Sequence, residues 1–241
     1  MSSRFWSGSR SAPEPGKTVA IIQSNYIPWK GYFDVINRAD EFFLYDTVQY
    51  TRRDWRNRNR IKTAQGPQWL TIPVQASRAQ RICDVQISDP LWAERHWRTL
   101  SQVYARAPHF AEYRDEIQAL YWSAEERTLS AVNERFIRAL CGLLGITTPI
   151  AHTADDTEHE SKTEKLVAIC AGAGATEYLC GPASRDYIEE WRFDEAGIAV
   201  AYVDYSGYPE YPQLFGPFLH EVTVLDLIFN TGPGARSYMK S

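Results

Sequence analysis

Two short apolar runs, each ending in polar residues and joined by one helical pattern, limit what this chain can fold into. Val19-Ala20-Ile21-Ile22 runs into Gln23-Ser24-Asn25, and Phe42-Phe43-Leu44-Tyr45 runs into Asp46. Between them lie a loop with Pro28 and Gly31 and a helical pattern from Tyr32 to Ala39. Strand, loop, helix and strand in so short a span make a βαβ unit with parallel strands. Ligands of such sheets bind beyond the carboxyl ends of the strands. Gln23, Asn25 and Asp46 stand there.

Further along, Gln68–Val74 and the shorter Asp84–Ile87 read as strands, and about 90–145 reads as a helical insertion. Its helices are expected at Leu91–Tyr104, at Ala111–Trp122 and from Ser123, where Glu126 completes a capping-box pattern. Alternation then resumes with strands at Thr148–Ala151, Glu177–Cys180 and Ile198–Val203. Helices are expected at Lys165–Ala173, behind the capping box Ser161 to Glu164, at Ser184–Trp191 and at Val222–Asn230. A Tyr/Pro/Gly-rich loop fills Asp204–Pro217. This pattern predicts an α/β fold with a Rossmann-like parallel sheet, order 3-2-1-4-5 plus an extra strand. Residues 17–241 are expected to form a single domain, and Met1–Gly16, rich in Ser, Pro and Gly without an apolar core, a disordered tail.

A net charge of −4 over 241 residues carries no global nucleic-acid or membrane signature, so specialised electrostatics must be local. No apolar run approaches the ~18–20 residues of a membrane span. The four cysteines match no zinc spacing and are too sparse for a disulfide scaffold, so a cytoplasmic protein with buried thiols is expected.

Several polar groups should collect at one sheet edge. Gln23 and Asn25 follow the first strand, Asp46 and Gln49 the second, and His152 a later one. Gly181-Pro182-Ala183-Ser184-Arg185 opens a helix, a natural anion site, and Lys162 starts another. Asp46 and His152 are candidate bases, each weighed against service as a turn or loop residue. An amide such as Gln23 at a strand end must find hydrogen bonds if buried, which suits ligand orientation. Lys162 is a third catalytic candidate, against the simpler reading of a helix-surface charge.

The densest local signal is Tyr50–Lys62, YTRRDWRNRNRIK. Arg52, Arg53, Arg56, Arg58, Arg60 and Lys62 interleave with Trp55, Asn57 and Asn59 in an otherwise acidic chain. Arginine forks match phosphate, and an indole offers a stacking face. A solvated charged loop is the bland alternative, and it does not account for the indole and amides. Walker A, GxGxxG, HExxH and GxSxG patterns are absent, and His152 with His159 and Glu160 makes no metal motif.

These residues carry a family resemblance. Gln23-x-x-Tyr26-x-Pro28-Trp29-x-Gly31-Tyr32-Phe33, Asp46-x-x-Gln49, Asn57-Arg58-Asn59-Arg60-Ile61-Lys62 and Trp69-Leu70-x-x-Pro73 resemble the WbqC-like protein family. So do Lys162-Thr163-Glu164-x-Leu166, Tyr178-Leu179-x-Gly181-Pro182, Tyr211–Gly216 and Asp226-Leu227-x-Phe229-Asn230-x-Gly232-Pro233. Ser24 departs from the proline usual after that glutamine. The resemblance implies an enzyme of O-antigen polysaccharide or natural-product assembly that attaches acyl or aminoacyl groups to amino-sugars or carrier-bound intermediates. A more distant likeness is to the HIGH-motif nucleotidyltransferases, whose paired histidines Pro28–Tyr32 lacks.

The resulting expectation is a biosynthetic transferase moving an acyl or aminoacyl group onto an amine or hydroxyl. Asp46, His152 and Lys162 would be catalytic. Gln23, Asn25, Tyr26, Gln49, Trp55, Arg56, Asn57, Arg58, Arg60, Lys62, Gly181 and Ser184 would hold a phosphate-bearing small molecule. No cofactor or metal is required by the sequence; ATP or another nucleotide is the candidate cofactor. tRNA, a carrier protein and a second copy of the chain are the candidate partners. The alternatives are an adenylate-forming or nucleotidyl-transferring enzyme and a non-catalytic RNA- or carrier-binding module.

Overall fold

A computed structural model of the chain describes residues 16–77, 79–155 and 161–241. The expected disordered tail, except Gly16, and the His159 and Glu160 of the rejected metal motif lie outside the described residues. Five parallel strands form the main sheet: β1 (Thr18–Ile22), β2 (Glu41–Leu44), β7 (Ile150–His152), β8 (Glu177–Cys180) and β9 (Ala199–Tyr202). Their spatial order is β7-β2-β1-β8-β9, which is 3-2-1-4-5 when the sheet strands are counted along the chain. The sheet is Rossmann-like.

The other strands do not extend this sheet. β3 (Arg58–Thr63) and β4 (Gly66–Thr71) form an antiparallel hairpin, and β5 (Val74–Gln75) pairs with β6 (Gln86–Ile87). The expected strand at Gln68–Val74 is therefore divided between two small sheets, and the end of the arginine-rich segment, with no apolar run to mark it, is the strand β3.

Alternation of side chains across the pleat gives the sheet two apolar faces. Val19, Ile21, Tyr178 and Cys180 pack with Leu166, Cys170 and Phe193, from α5 (Lys162–Gly172) and α6 (Glu190–Glu195). Ala20, Phe42, Leu44 and Leu179 join the larger core with Phe33, Val35 and Ile36 of α1 (Lys30–Arg38) and Leu227 of α7 (Val224–Thr231). Burying each large aliphatic or aromatic side chain contributes ~1.5–3 kcal/mol. Strands buried on both faces must read as nearly unbroken apolar runs, as β1 and β8 do.

The insertion is α2 (Trp92–Tyr104), α3 (Phe110–Trp122) and α4 (Leu129–Leu143). The expected start of the third helix at Ser123 is corrected: Thr128 is the N-cap, its side chain accepting from the Ala131 amide. Ser123 instead closes α3, donating its hydroxyl to the Ala119 carbonyl at 2.6 Å. The capping box at Ser161 and Glu164 is present and starts α5 at Lys162. The expected helix Ser184–Trp191 is instead a short 3-10 turn, Pro182–Asp186, followed by α6. No described helix is long and apolar enough to cross a membrane.

Candidate functional site

Connections from β1 lead to β2 on one side, while β8 and β9 lie on the other. Strand order thus reverses between β1 and β8, the position where doubly wound sheets open a crevice. A cavity of about 550 Å³ lies beside this point, between the loops that follow β1 and β9. Asn25, Pro28 and Trp29 line it from the loop after β1, and Tyr205, Ser206, Gly207 and Tyr208 from the loop after β9. Trp55 and Asn59 come from the arginine-rich segment, and His220 and Glu221 from the approach to α7. Backbone hydrogen bonds assemble these remote segments: Tyr26 N to Trp55 O at 3.1 Å, Thr223 N to Arg60 O at 2.9 Å and Val224 N to Pro28 O at 2.8 Å.

The loop after β1 is held in a demanding conformation. Ile27 has φ +36°, a region disfavoured for a β-branched residue and costing on the order of 1–3 kcal/mol. Asn59, on the inner face of β3, offsets this by donating its side-chain amide to the carbonyls of Tyr26 at 3.1 Å and Ile27 at 2.8 Å. Asn57 likewise serves the backbone, donating to Ile72 O at 2.9 Å. Trp29 then turns its indole over Gly31 and meets Tyr205 at 5.3 Å and Tyr208 at 5.4 Å between ring centroids.

Gln23 and Asn25 are explained by Arg56. Its guanidinium donates to Gln23 Oε1 at 2.9 Å and to Asn25 Oδ1, with the Asp54 carboxylate 3.7 Å away. An arginine only donates, so both amides must turn their oxygens toward it. Asn25, which lines the cavity, is left with its NH2 as the group to offer a ligand.

His220 supplies an imidazole to the cavity wall. Burial, followed by the nearby Lys30 charge, lowers its pKa below the usual imidazole range. Its Nδ1 is shut from solvent and has no hydrogen-bond partner, while the ring meets Phe218 edge-on at 4.6 Å. Lys30 is 2% exposed, donates to Pro209 O at 2.7 Å and sits 5.2 and 5.1 Å from the ring centroids of Tyr208 and Tyr211. Burial brings its pKa down to about 8 against the opposing pull of Asp34. Glu221 pairs with Arg60 at 2.5 Å.

Of the residues singled out in the sequence, Gln23, Asn25, Trp55, Arg56 and Arg60 come together here. Gly181 approaches from β8, where an added Cβ would lie 3.7 Å from the Tyr205 hydroxyl. Asp46 is 2% exposed and does not line the cavity. One of its oxygens accepts the Ser24 amide at 2.8 Å and the other accepts the Ser130 hydroxyl. His152 is half exposed at the end of β7 and bonds Glu134 Oε2 at 2.7 Å. Helix α4 covers that side of the sheet edge, and Asn133 between its two contacts donates to Ser24 Oγ and Arg56 O at 3.0 and 2.8 Å.

Lys162 is exposed with its ammonium 5.5 Å from the Tyr187 ring centroid, and Ser184 Oγ lies 3.0 Å from the Tyr187 hydroxyl. Gln49 forms a β-bridge to Arg81. Tyr26 is fully buried, 2.9 Å from His96 Nδ1 and 2.7 Å from the Tyr121 hydroxyl. Lys62 donates to Gln213 Oε1 at 2.8 Å, beside the buried Asp226, and burial lowers its pKa. Lys62 and Arg56 are thus occupied inside the protein, and only Arg58 and Arg60 of the expected phosphate-binding set stand on the outer hairpin face. Among the described residues no group of three His, Cys, Asp or Glu side chains is placed to hold a metal.

Trp29, Tyr205, Tyr208, His220 and Glu221 went unnamed as site residues from the sequence. The Tyr/Pro/Gly-rich loop following the last sheet strand was the available signal for the tyrosines. His220 carried none, since no local pattern brings it to the crevice.

Residues 23–238 match the WbqC-like protein family. A protein of Mycobacterium tuberculosis (strain ATCC 25618 / H37Rv) named "Uncharacterized protein Rv1507c" is 49% identical over 226 residues, spanning 93% of this chain and 98% of its own. No solved structure matches. With the match running from the amide Gln23 through the cavity segments to the last turn of the chain, this protein belongs to the WbqC-like protein family.

Proposed function

We propose that the protein is a biosynthetic transferase that moves an acyl or aminoacyl group onto an amine or hydroxyl acceptor bound in the crevice between β1 and β8. The observation that carries this reading is His220, an imidazole biased toward its neutral form on the wall of an aromatic cavity of about 550 Å³, where Nε2 is the nitrogen left to exchange a proton because Nδ1 is shut from solvent. That volume suits a small molecule. A neutral imidazole can take the proton of an attacking amine or hydroxyl as its nitrogen or oxygen bonds to the acyl carbon. The imidazolium then returns the proton to the leaving group as the old acyl bond breaks. The NH2 of Asn25, its oxygen tied to Arg56, suits stabilisation of the negative charge that develops on the carbonyl oxygen.

The test has two stages. Thermal-shift and native mass spectrometry against amino acids, nucleotides, nucleotide-sugars and aminoacyl-tRNA should identify a ligand. With it, His220→Gln should keep binding and lose transfer by ~10²-fold or more. Transfer at the native rate by that variant, or no stabilisation by any member of the panel, would overturn the reading.

A further inference from the structure

The hairpin carries a second surface just outside the cavity. Arg60 pairs with Trp69 across β3 and β4, and Arg58 lies two residues along on the same outward face. The Arg58 guanidinium sits 4.2 Å from the Trp69 ring centroid, and that of Arg60 sits 5.5 Å from both Trp69 and Trp55. The two indoles are 5.3 Å apart at 44° and remain 39% and 41% exposed for Trp55 and Trp69. Two large, part-exposed aromatic planes thus stand beside two cations, of which Arg58 also donates to the Arg53 carbonyl and Arg60 pairs with Glu221, contacts a phosphate would have to displace or share.

A self-contained arginine–tryptophan layer would account for the stacking alone. It leaves two facts over. Trp55 also lines the cavity, so the layer is continuous with the site. The local charge is also strongly positive: Arg52, Arg53, Arg56, Arg58 and Arg60 stand against Asp54 and Glu221, in a chain of net charge −4. Part-exposed indoles next to excess guanidinium match a ligand that joins a planar ring to an anion.

We propose that this layer is a nucleotide platform, with the base stacked on Trp69 and Trp55 and the phosphate held by Arg58 and Arg60. Resting on the transferase reading above, it makes the nucleotide the handle of the substrate whose reacting end enters the cavity. The same chemistry is offered by a free nucleotide and by the terminal nucleotide of an RNA.

The test is equilibrium binding to the full chain, followed by tryptophan fluorescence and calorimetry, and needs no turnover. The probes are nucleoside mono- and diphosphates, a short single-stranded RNA, ribose 5-phosphate and inorganic pyrophosphate. Nucleotides should bind at least ~10-fold more tightly than the base-free phosphates, and Trp69→Ala should weaken them by ~10-fold with an unchanged melting temperature. Trp69→Phe should retain most of the affinity. Mononucleotide binding equal to that of the RNA supports a free nucleotide, and binding of the RNA alone supports the RNA end. Binding of neither, or nucleotide affinity unmoved in the Trp55→Ala and Trp69→Ala double variant, overturns the platform. Nucleotide binding without transfer to any acceptor would support the platform while the transferase reading fails. Transfer with a KM untouched by Trp69→Ala would do the reverse.

Discussion

Arg56 Nη2 donates to Gln23 Oε1 at 2.9 Å, tying the arginine-rich segment to the end of the first strand. This contact changes what both residues mean. The oxygen of the strand-end amide is taken by the arginine, and the arginine is held by two amides and does not stand open to a phosphate. Together they set the orientation of Asn25, which does face the cavity.

Removal of Arg56 should therefore act at one remove. Arg56→Ala should cost ~1–3 kcal/mol in urea unfolding, since two amide oxygens lose a charged donor. Ligand affinity should fall with it. Arg56→Lys, a single-point cation without the fork, should recover only part of either.

Gly31→Ala tests the aromatic wall. A Cβ there would lie 2.2 Å from Trp29 Cζ2, so the indole must move. The expected outcome is a folded protein with a changed near-UV circular dichroism spectrum and ligand affinity reduced by ~10-fold or more.

Asp46 gives a direct contrast between anchoring and base catalysis. Its two oxygens hold the Ser24 amide and the Ser130 hydroxyl, pinning the loop after β1 to α4. Asp46→Ala should destabilise by ~2–4 kcal/mol by leaving a buried amide and hydroxyl unpaired. Asp46→Asn keeps one acceptor and should retain most stability and transfer activity. Loss of transfer in a stable Asp46→Asn protein that still binds ligand would instead establish a base.

Acid should weaken the fold through His96. Burial pushes its pKa down to about 4 from the ordinary 6.5, against the partly compensating bond to the Thr71 carbonyl. The carbonyl can only accept, so Nε2 carries the proton and Nδ1 accepts from Tyr26, whose oxygen in turn accepts from Tyr121. Between pH 6.5 and about 4 the unfolded chain binds a proton that the folded chain refuses. Stability from this group is thus complete above 6.5 and is lost as pH falls through that window, by about 3 kcal/mol in all. Urea unfolding of native protein and His96→Gln across the window should show the steeper acid loss in the native chain.

What sequence alone determined was the central sheet. Val19–Ile22, Phe42–Tyr45 and Glu177–Cys180 are legible because parallel strands covered on both faces must be nearly continuously apolar. The crevice rule for the strand ends made Gln23 and Asn25 candidates, of which Asn25 lines the cavity and Gln23 holds Arg56 behind it. Tertiary structure alone decided the rest of the site. β3 reads RNRIKT and has no apolar signature, because Asn59 on its inner face and Asn57 just before it satisfy backbone carbonyls, which is a matter of geometry and not hydropathy. His152 and His220 look alike in a linear chain. The packing of α4 gave the first a carboxylate partner in Glu134, and the docking of Thr223 and Val224 onto Arg60 and Pro28 carried the second to the crevice. Contacts between segments so distant along the chain leave no periodicity to read, since only the closing of the fold brings them within reach.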